Sequence, residues 1–171
     1  MSERLKLRAR DPRDLETIAS VVQDALVPLS DMAYLPREHR FALMLNRFRW
    51  EAAQTSGERP NVPAALPDDL ARDVAFADQR VPAFERVHSA LVFERVLGVK
   101  RRGLEKAARG GLVELLTMRL EEPHLLLAFA GDAAVRLEID QLSCHLEDLG
   151  EPWPTLWRPR HADRETAGGK R

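Results

Sequence analysis

A single cysteine, Cys144, in a chain of 171 residues excludes an internal disulfide and every thiolate metal pattern, and it fits a reducing compartment. Long apolar runs are also missing: the stretch from Leu125 to Ala130 covers about a third of the roughly 20 residues a helix needs to cross a bilayer. No apolar core follows Met1-Ser2-Glu3-Arg4, so a signal peptide is not expected and a cytoplasmic protein without a membrane partner is. Charge of one sign is absent overall, with 26 Lys+Arg against 27 Asp+Glu. That balance removes a global argument for nucleic acid and leaves only local patches to argue from. Lysine is scarce, at positions 6, 100, 106 and 170 alone, which reads as arginine-favouring codon usage before it reads as ligand chemistry.

What is present is ample apolar material, 44% of the chain, enough for one substantial core. Leu5, Leu7 and Ala9 alternate with Arg4, Lys6, Arg8 and Arg10, the period of a half-buried strand. Asp11-Pro12-Arg13-Asp14 then supplies an N-cap acceptor, a proline where its missing N–H costs nothing, and an acid in the positive first turn. Leu15, Ile18, Val22 and Leu26 continue at helical spacing, so a helix is expected over residues 12–26, ended by Pro28. Met32 to Trp50 reads as a hairpin turning at Leu35-Pro36-Arg37-Glu38. Its apolar face switches near Asn46, from Phe41, Leu43 and Leu45 to Phe48 and Trp50, which calls for a bulge or for burial on both faces.

Residues 51–82, with Pro60, Pro63, Pro67, Pro82 and an excess of acids, read as a long irregular loop. Strands follow over 86–99, 112–121, 124–130, 134–140 and 142–148, and short turns between them imply antiparallel neighbours. A two-residue turn at Gly131-Asp132 would set Leu126 against Leu137 and Ala128 against Val135. Residues 158–171 carry five cationic residues against Asp163 and Glu165 with little to bury, a disordered basic tail. The expected fold is therefore one α+β domain over 1–157. It is a predominantly antiparallel sheet or rolled barrel, pleckstrin-homology-like in one form, with the N-terminal helix packed on it.

Motifs that carry chemistry are few. No phosphate-cradling glycine loop and no G-x-S-x-G elbow occur. Cys144 and His145 are strand neighbours that point to opposite faces, and the histidines at 39, 88, 124, 145 and 161 lack metal-ligand spacing, so no catalytic residue, metal or cofactor is assigned. Two basic segments stand out. Arg47, Arg49 and Trp50, with Phe48 between them, could stack bases or pair phosphates, or could equally pack and pair with acids on a neighbouring strand. Lys100, Arg101 and Arg102 open a cationic connection that runs to Arg109.

At Gln23-Asp24-Ala25, Asp31-Met32-Ala33-Tyr34-Leu35-Pro36, Arg40-Phe41-Ala42-Leu43, Asn46 to Glu51 and Leu146-Glu147-Asp148-Leu149-Gly150-Glu151-Pro152-Trp153, the chain resembles an uncharacterised alphaproteobacterial domain-of-unknown-function family over roughly residues 4–157. The resemblance implies a bacterial cytoplasmic protein and no activity, ligand or catalytic residue. The resulting expectation is a non-catalytic binding or adaptor module with a protein partner. A nucleic-acid-binding module using the Arg47–Trp50 strand and the Lys100–Arg109 loop is the alternative, and an enzyme with a fold-assembled site ranks third.

Overall fold

In a computed structural model, residues 3–55, 84–106, 111–155 and 159 are described. By its internal contacts the chain divides into two compact units, Met1–Phe48 with Val87–Pro152 and Arg49–Arg86 with Trp153–Arg171. The protein is α+β and mostly antiparallel sheet. Its strands are β1 (Lys6–Ala9), β2 (Ala25–Pro28), β3 (Met32–Leu35), β4 (Arg40–Phe48), β5 (Phe84–Phe93), β6 (Val96–Arg102), β7 (Leu112–Glu121), β8 (His124–Phe129), β9 (Ala134–Ile139), β10 (Cys144–Asp148) and β11 (Trp153–Thr155). They lie in the order β1-β10-β5-β4-β2-β7-β8-β9-β6, with β3 beside β4 and β11 beside β5. The path is open, ending at β1 and β6.

Helix α1 (Pro12–Val21) starts as its sequence dictates: the Asp11 side chain accepts from the Asp14 amide at 2.9 Å, and Pro12 stands in the first turn. It buries Leu15 and Ile18, and packs beside β1 and β7. The helix expected to run to residue 26 stops five residues short. Val22 is its C-cap, Asp24 adopts φ 60°, and Ala25–Pro28 become β2, which pairs with both β4 and β7. Ala25 and Val27 alternate with half-buried Leu26 as a strand requires, so tertiary pairing overrides the helical spacing of Val22 and Leu26.

The β3–β4 hairpin forms as expected, with Leu35 opposite Arg40 and a 3-10 turn over Pro36–Glu38 closed by His39 in the left-handed region. The expected strand over 86–99 is two strands. The chain leaves β5 at Glu94-Arg95, where Arg95 has φ 59°, and β6 then joins the far end of the sheet beside β9. The β8–β9 register also differs from the expected one: Leu126 lies opposite Arg136, Leu127 opposite Val135 and Ala128 opposite Ala134. The connection is longer than two residues, with the Phe129 amide donating to the Ala133 carbonyl, and a one-residue slip exchanges faces. Leu125, Leu127 and Phe129, not Leu126, are therefore the core residues of β8.

Inward residues from β1, β4, β5, β6, β7, β8, β9 and β10 join one apolar cluster with α1, in which Phe41 and Phe93 meet at a ring-centroid distance of 6.4 Å. In the second unit, the start of the segment expected to be irregular is the helix α2 (Trp50–Thr55), and β11 pairs with the first residues of β5. The rest of the 51–82 loop and the basic tail lie outside the described residues, apart from Pro159.

Candidate functional site

The apolar alternation of β4 does not break at Asn46. It continues with an arginine: Phe41, Leu43, Leu45 and Arg47 are all buried, and Phe48 beside Arg47 is buried as well, so both faces are covered at that end. A guanidinium at 0% exposure needs an equally buried carboxylate, and Asp148 of β10, 4% exposed, provides it. Arg47 Nε donates to Asp148 Oδ1 at 2.8 Å and Nη2 to Oδ2 at 2.7 Å, a two-pronged pair. Ser89 Oγ of β5 donates to Oδ1 at 2.7 Å, and the Leu5 amide beside β1 donates to Oδ2 at 3.2 Å. Burial pushes the Asp148 carboxyl up. The hydrogen bonds from Arg47, Ser89 and Leu5 and the arginine charge outweigh it and hold the group below its ordinary value. The carboxylate thus ties β1, β4, β5 and β10 together, and Arg47 is withdrawn from any surface.

Arg49 and Trp50 are engaged too. The Arg49 amide donates to the Glu85 carbonyl at 2.9 Å, its Nη1 pairs with the Glu85 carboxylate, and its Nε lies 3.5 Å from Glu51. Trp50 begins α2 and is half-buried. The structure therefore does not unite the arginine–aromatic segment into one open face: Arg47 points into the core, Arg49 holds two carboxylates, and the partners are Asp148, Glu85 and Glu51.

Lys100, Arg101 and Arg102 are all exposed, and they lie on β6 rather than in a loop. The side chain of Lys106 and all of Arg109 fall outside the described residues. Register explains what the three present. Lys100 is opposite Arg136, Arg101 opposite Val135 and Arg102 opposite Ala134. Since Val135 and Leu137 face the core, Lys100, Arg102 and Arg136 share the outer face, and Arg101 stands at the core side's rim. None of these four makes an ion pair with a described residue, although Lys100 and Arg136 sit directly across from each other, a destabilising juxtaposition of like charge. The acid nearest along the chain is Glu138, exposed on the same outer face of β9 two residues from Arg136 and opposite Gly98, while Glu105 and Asp132 lie on the connections that flank the patch.

Arg136 was not among the residues singled out from sequence. It alternates with inward Val135 and Leu137, but its meeting with Lys100 depends on a pairing between strands more than 30 positions apart.

Two other places offer less. Cys144 is buried, and burial pushes its thiol up, which suits an inert packed sulfur better than a nucleophile. A cleft of about 350 Å³ bounded by Arg10, Leu120, Glu122, Ile139 and Asp140 mixes both signs of charge, with Asp140 already paired to Arg95. Among the described residues no group of three or more His, Cys, Asp or Glu is placed to hold a metal ion, and no helix is long and apolar enough to cross a membrane.

Fold and site together define an α+β, mostly antiparallel-sheet protein with a cationic end strand. The chain belongs to the family described as protein of unknown function DUF2948, whose model matches residues 5–161. No curated protein and no solved structure matches it.

Proposed function

We propose that this protein is a non-catalytic cytoplasmic binding module that takes an acidic protein partner at the β6–β9 end of its sheet. The observation that carries the reading is the convergence of Lys100, Arg101, Arg102 and Arg136, exposed and without an ion pair among the described residues. Three cations on one face of a rigid sheet, with Arg101 at the rim and the single acid Glu138 beside Arg136, leave a cationic excess that steers an acidic surface and selects against basic ones. The nucleic-acid reading loses half its support, because stacking on Trp50 beside Arg47 and Arg49 needs an open face, whereas Arg47 is buried and Arg49 is paired. The chemistry of the described residues favours binding over catalysis: the one thiol is buried and the Arg47–Asp148 pair is saturated by internal partners.

The test is fluorescence anisotropy with a labelled poly-glutamate peptide and, in parallel, a single-stranded oligonucleotide of equal charge, each titrated at about 50 mM and 200 mM salt. The peptide is expected to bind and to lose at least tenfold in affinity when Lys100→Glu and Arg102→Glu are combined. Preferential binding of the oligonucleotide, with a salt slope that falls by about one unit per cation removed, would establish the nucleic-acid alternative instead. Binding of neither probe at low salt overturns the proposal.

A further inference from the structure

The cationic residues are carried by a strand that ends the sheet. β6 pairs with β9 on one side, and among the described residues no strand pairs with its other side. Among the described residues the contacts seen there are at its beginning: the Val96 amide donates to the His39 carbonyl at 2.8 Å, and the 3-10 turn Pro36–Glu38 packs against β6. From Gly98 to Arg102 the outward N–H and C=O groups are a template for one further strand.

We infer that the partner of this module is an extended acidic segment that adds as a new strand to the free edge of β6 at Gly98–Arg102. The inference rests on the proposed binding function and specifies how the partner is held. The charges choose the occupant. A second copy docking edge to edge would bring one set of Lys100, Arg101 and Arg102 against another, so self-pairing is opposed by like charge across the new ladder. An acidic strand meets the reverse situation and relieves the repulsion between Lys100 and Arg136.

Alternation then predicts the sequence the edge would select. Side chains opposite Arg102 and Lys100 lie on the outer face and should be acidic. The one opposite Arg101 lies at the rim and should be acidic as well. The one opposite half-buried Val99 lies on the core side and should be apolar. For an antiparallel addition this is three acids followed, towards the C-terminus, by one aliphatic residue.

The experiment uses the full chain and a labelled peptide with the core Glu-Glu-Glu-Val, flanked by serines and capped at both ends. Two N-methylated versions are made, one modified on each alternate set of amides, because only one set can point at β6. The parent peptide is expected to bind, and one methylation pattern should weaken it at least tenfold while the other changes it less than about threefold. Hydrogen exchange should slow at amides within residues 98–102 on peptide addition, and the Lys100→Glu, Arg102→Glu variant should abolish both effects. If both methylated peptides bind like the parent and exchange at 98–102 is unchanged, strand addition is wrong while the binding function stands. If the parent binds no better than its Gln-Gln-Gln-Val counterpart, both fail. Self-association of the protein with protection of the same amides would also overturn the inference, since it would make a second copy the occupant.

Discussion

Two arginine-bearing strands of this protein resolve the same problem in opposite ways. On β4, Arg47 takes a core position and its charge is met by Asp148 through two hydrogen bonds, the carboxylate itself held by Ser89 and Leu5. On β6, Lys100, Arg101 and Arg102 stay in water with no described partner, and Lys100 even faces another cation. The first cluster is closed and structural, the second open and available. What separates them is a carboxylate far away in sequence, not the local run of residues, since each segment is cationic. A basic run says that charge must be dealt with, and only the pairing of distant strands says whether the fold or a partner deals with it.

The sharpest way to break this contrast is to unpair the buried cluster. Asp148→Ala should lower unfolding free energy by about 3–5 kcal/mol, because it strands a buried guanidinium, and the combined Arg47→Met, Asp148→Leu variant should recover most of that loss. Urea melts of the three proteins check it, and a loss below about 1 kcal/mol for the single variant would mean that Arg47 is not buried as described.

Next in size is the test of which side of β8 faces the core. Leu127→Ala should cost about 2–5 kcal/mol and Leu126→Ala clearly less, since Leu127 is fully buried and half-buried Leu126 lies on the other face. Equal shifts in midpoint would point to the slipped register.

Acid should expose the buried pair in a graded way. Asp148 has its carboxyl held below the ordinary value in the fold, so the unfolded chain takes up its proton first. Its stabilisation is therefore complete above about pH 4, the usual range of a free aspartate, and is lost as pH falls through the lower folded value. Melts of wild type and Asp148→Asn between pH 7 and pH 2 should show a gap that narrows on acidification. A gap that widened would reverse the assigned direction.

The smallest effect is expected at the open cluster. Lys100→Glu turns a repulsive pair with Arg136 into an attractive one, so stability should rise slightly, by roughly 0.2–1 kcal/mol. A comparable loss would show that Lys100 already has a structural partner.

The elements that can be read from the chain are those whose reasons are local. The Asp11-Pro12 start of α1 and the Pro36 hairpin follow from capping and turn chemistry within a few residues. The misread elements depend on neighbours elsewhere. Glu94-Arg95 contains neither glycine nor proline, so nothing marks the corner where β5 ends. Val22 and Leu26 fit a helix until β4 and β7 claim Ala25–Pro28. Arg47 shows the conflict most plainly: its place in the alternation says inward and its residue type says outward, and position wins because Asp148 is there. At the candidate site, Lys100 to Arg102 are visible as a basic run, whereas Arg136 and the free edge emerge only from the sheet order.

The separation of 101 residues between Arg47 and Asp148 also sets a schedule for the growing chain. At about 5–20 residues added per second, Arg47 leaves the ribosome on the order of 5–20 s before the carboxylate that allows it to be buried. β1 waits longer still, since Lys6 pairs with Glu147. Until β10 emerges, the nascent sheet lacks both the strand that covers β1 and the counter-charge for its own interior. A polypeptide released before residue 148 is therefore left with a solvated cation where its core should close, and native assembly of this sheet is deferred until β10 has emerged.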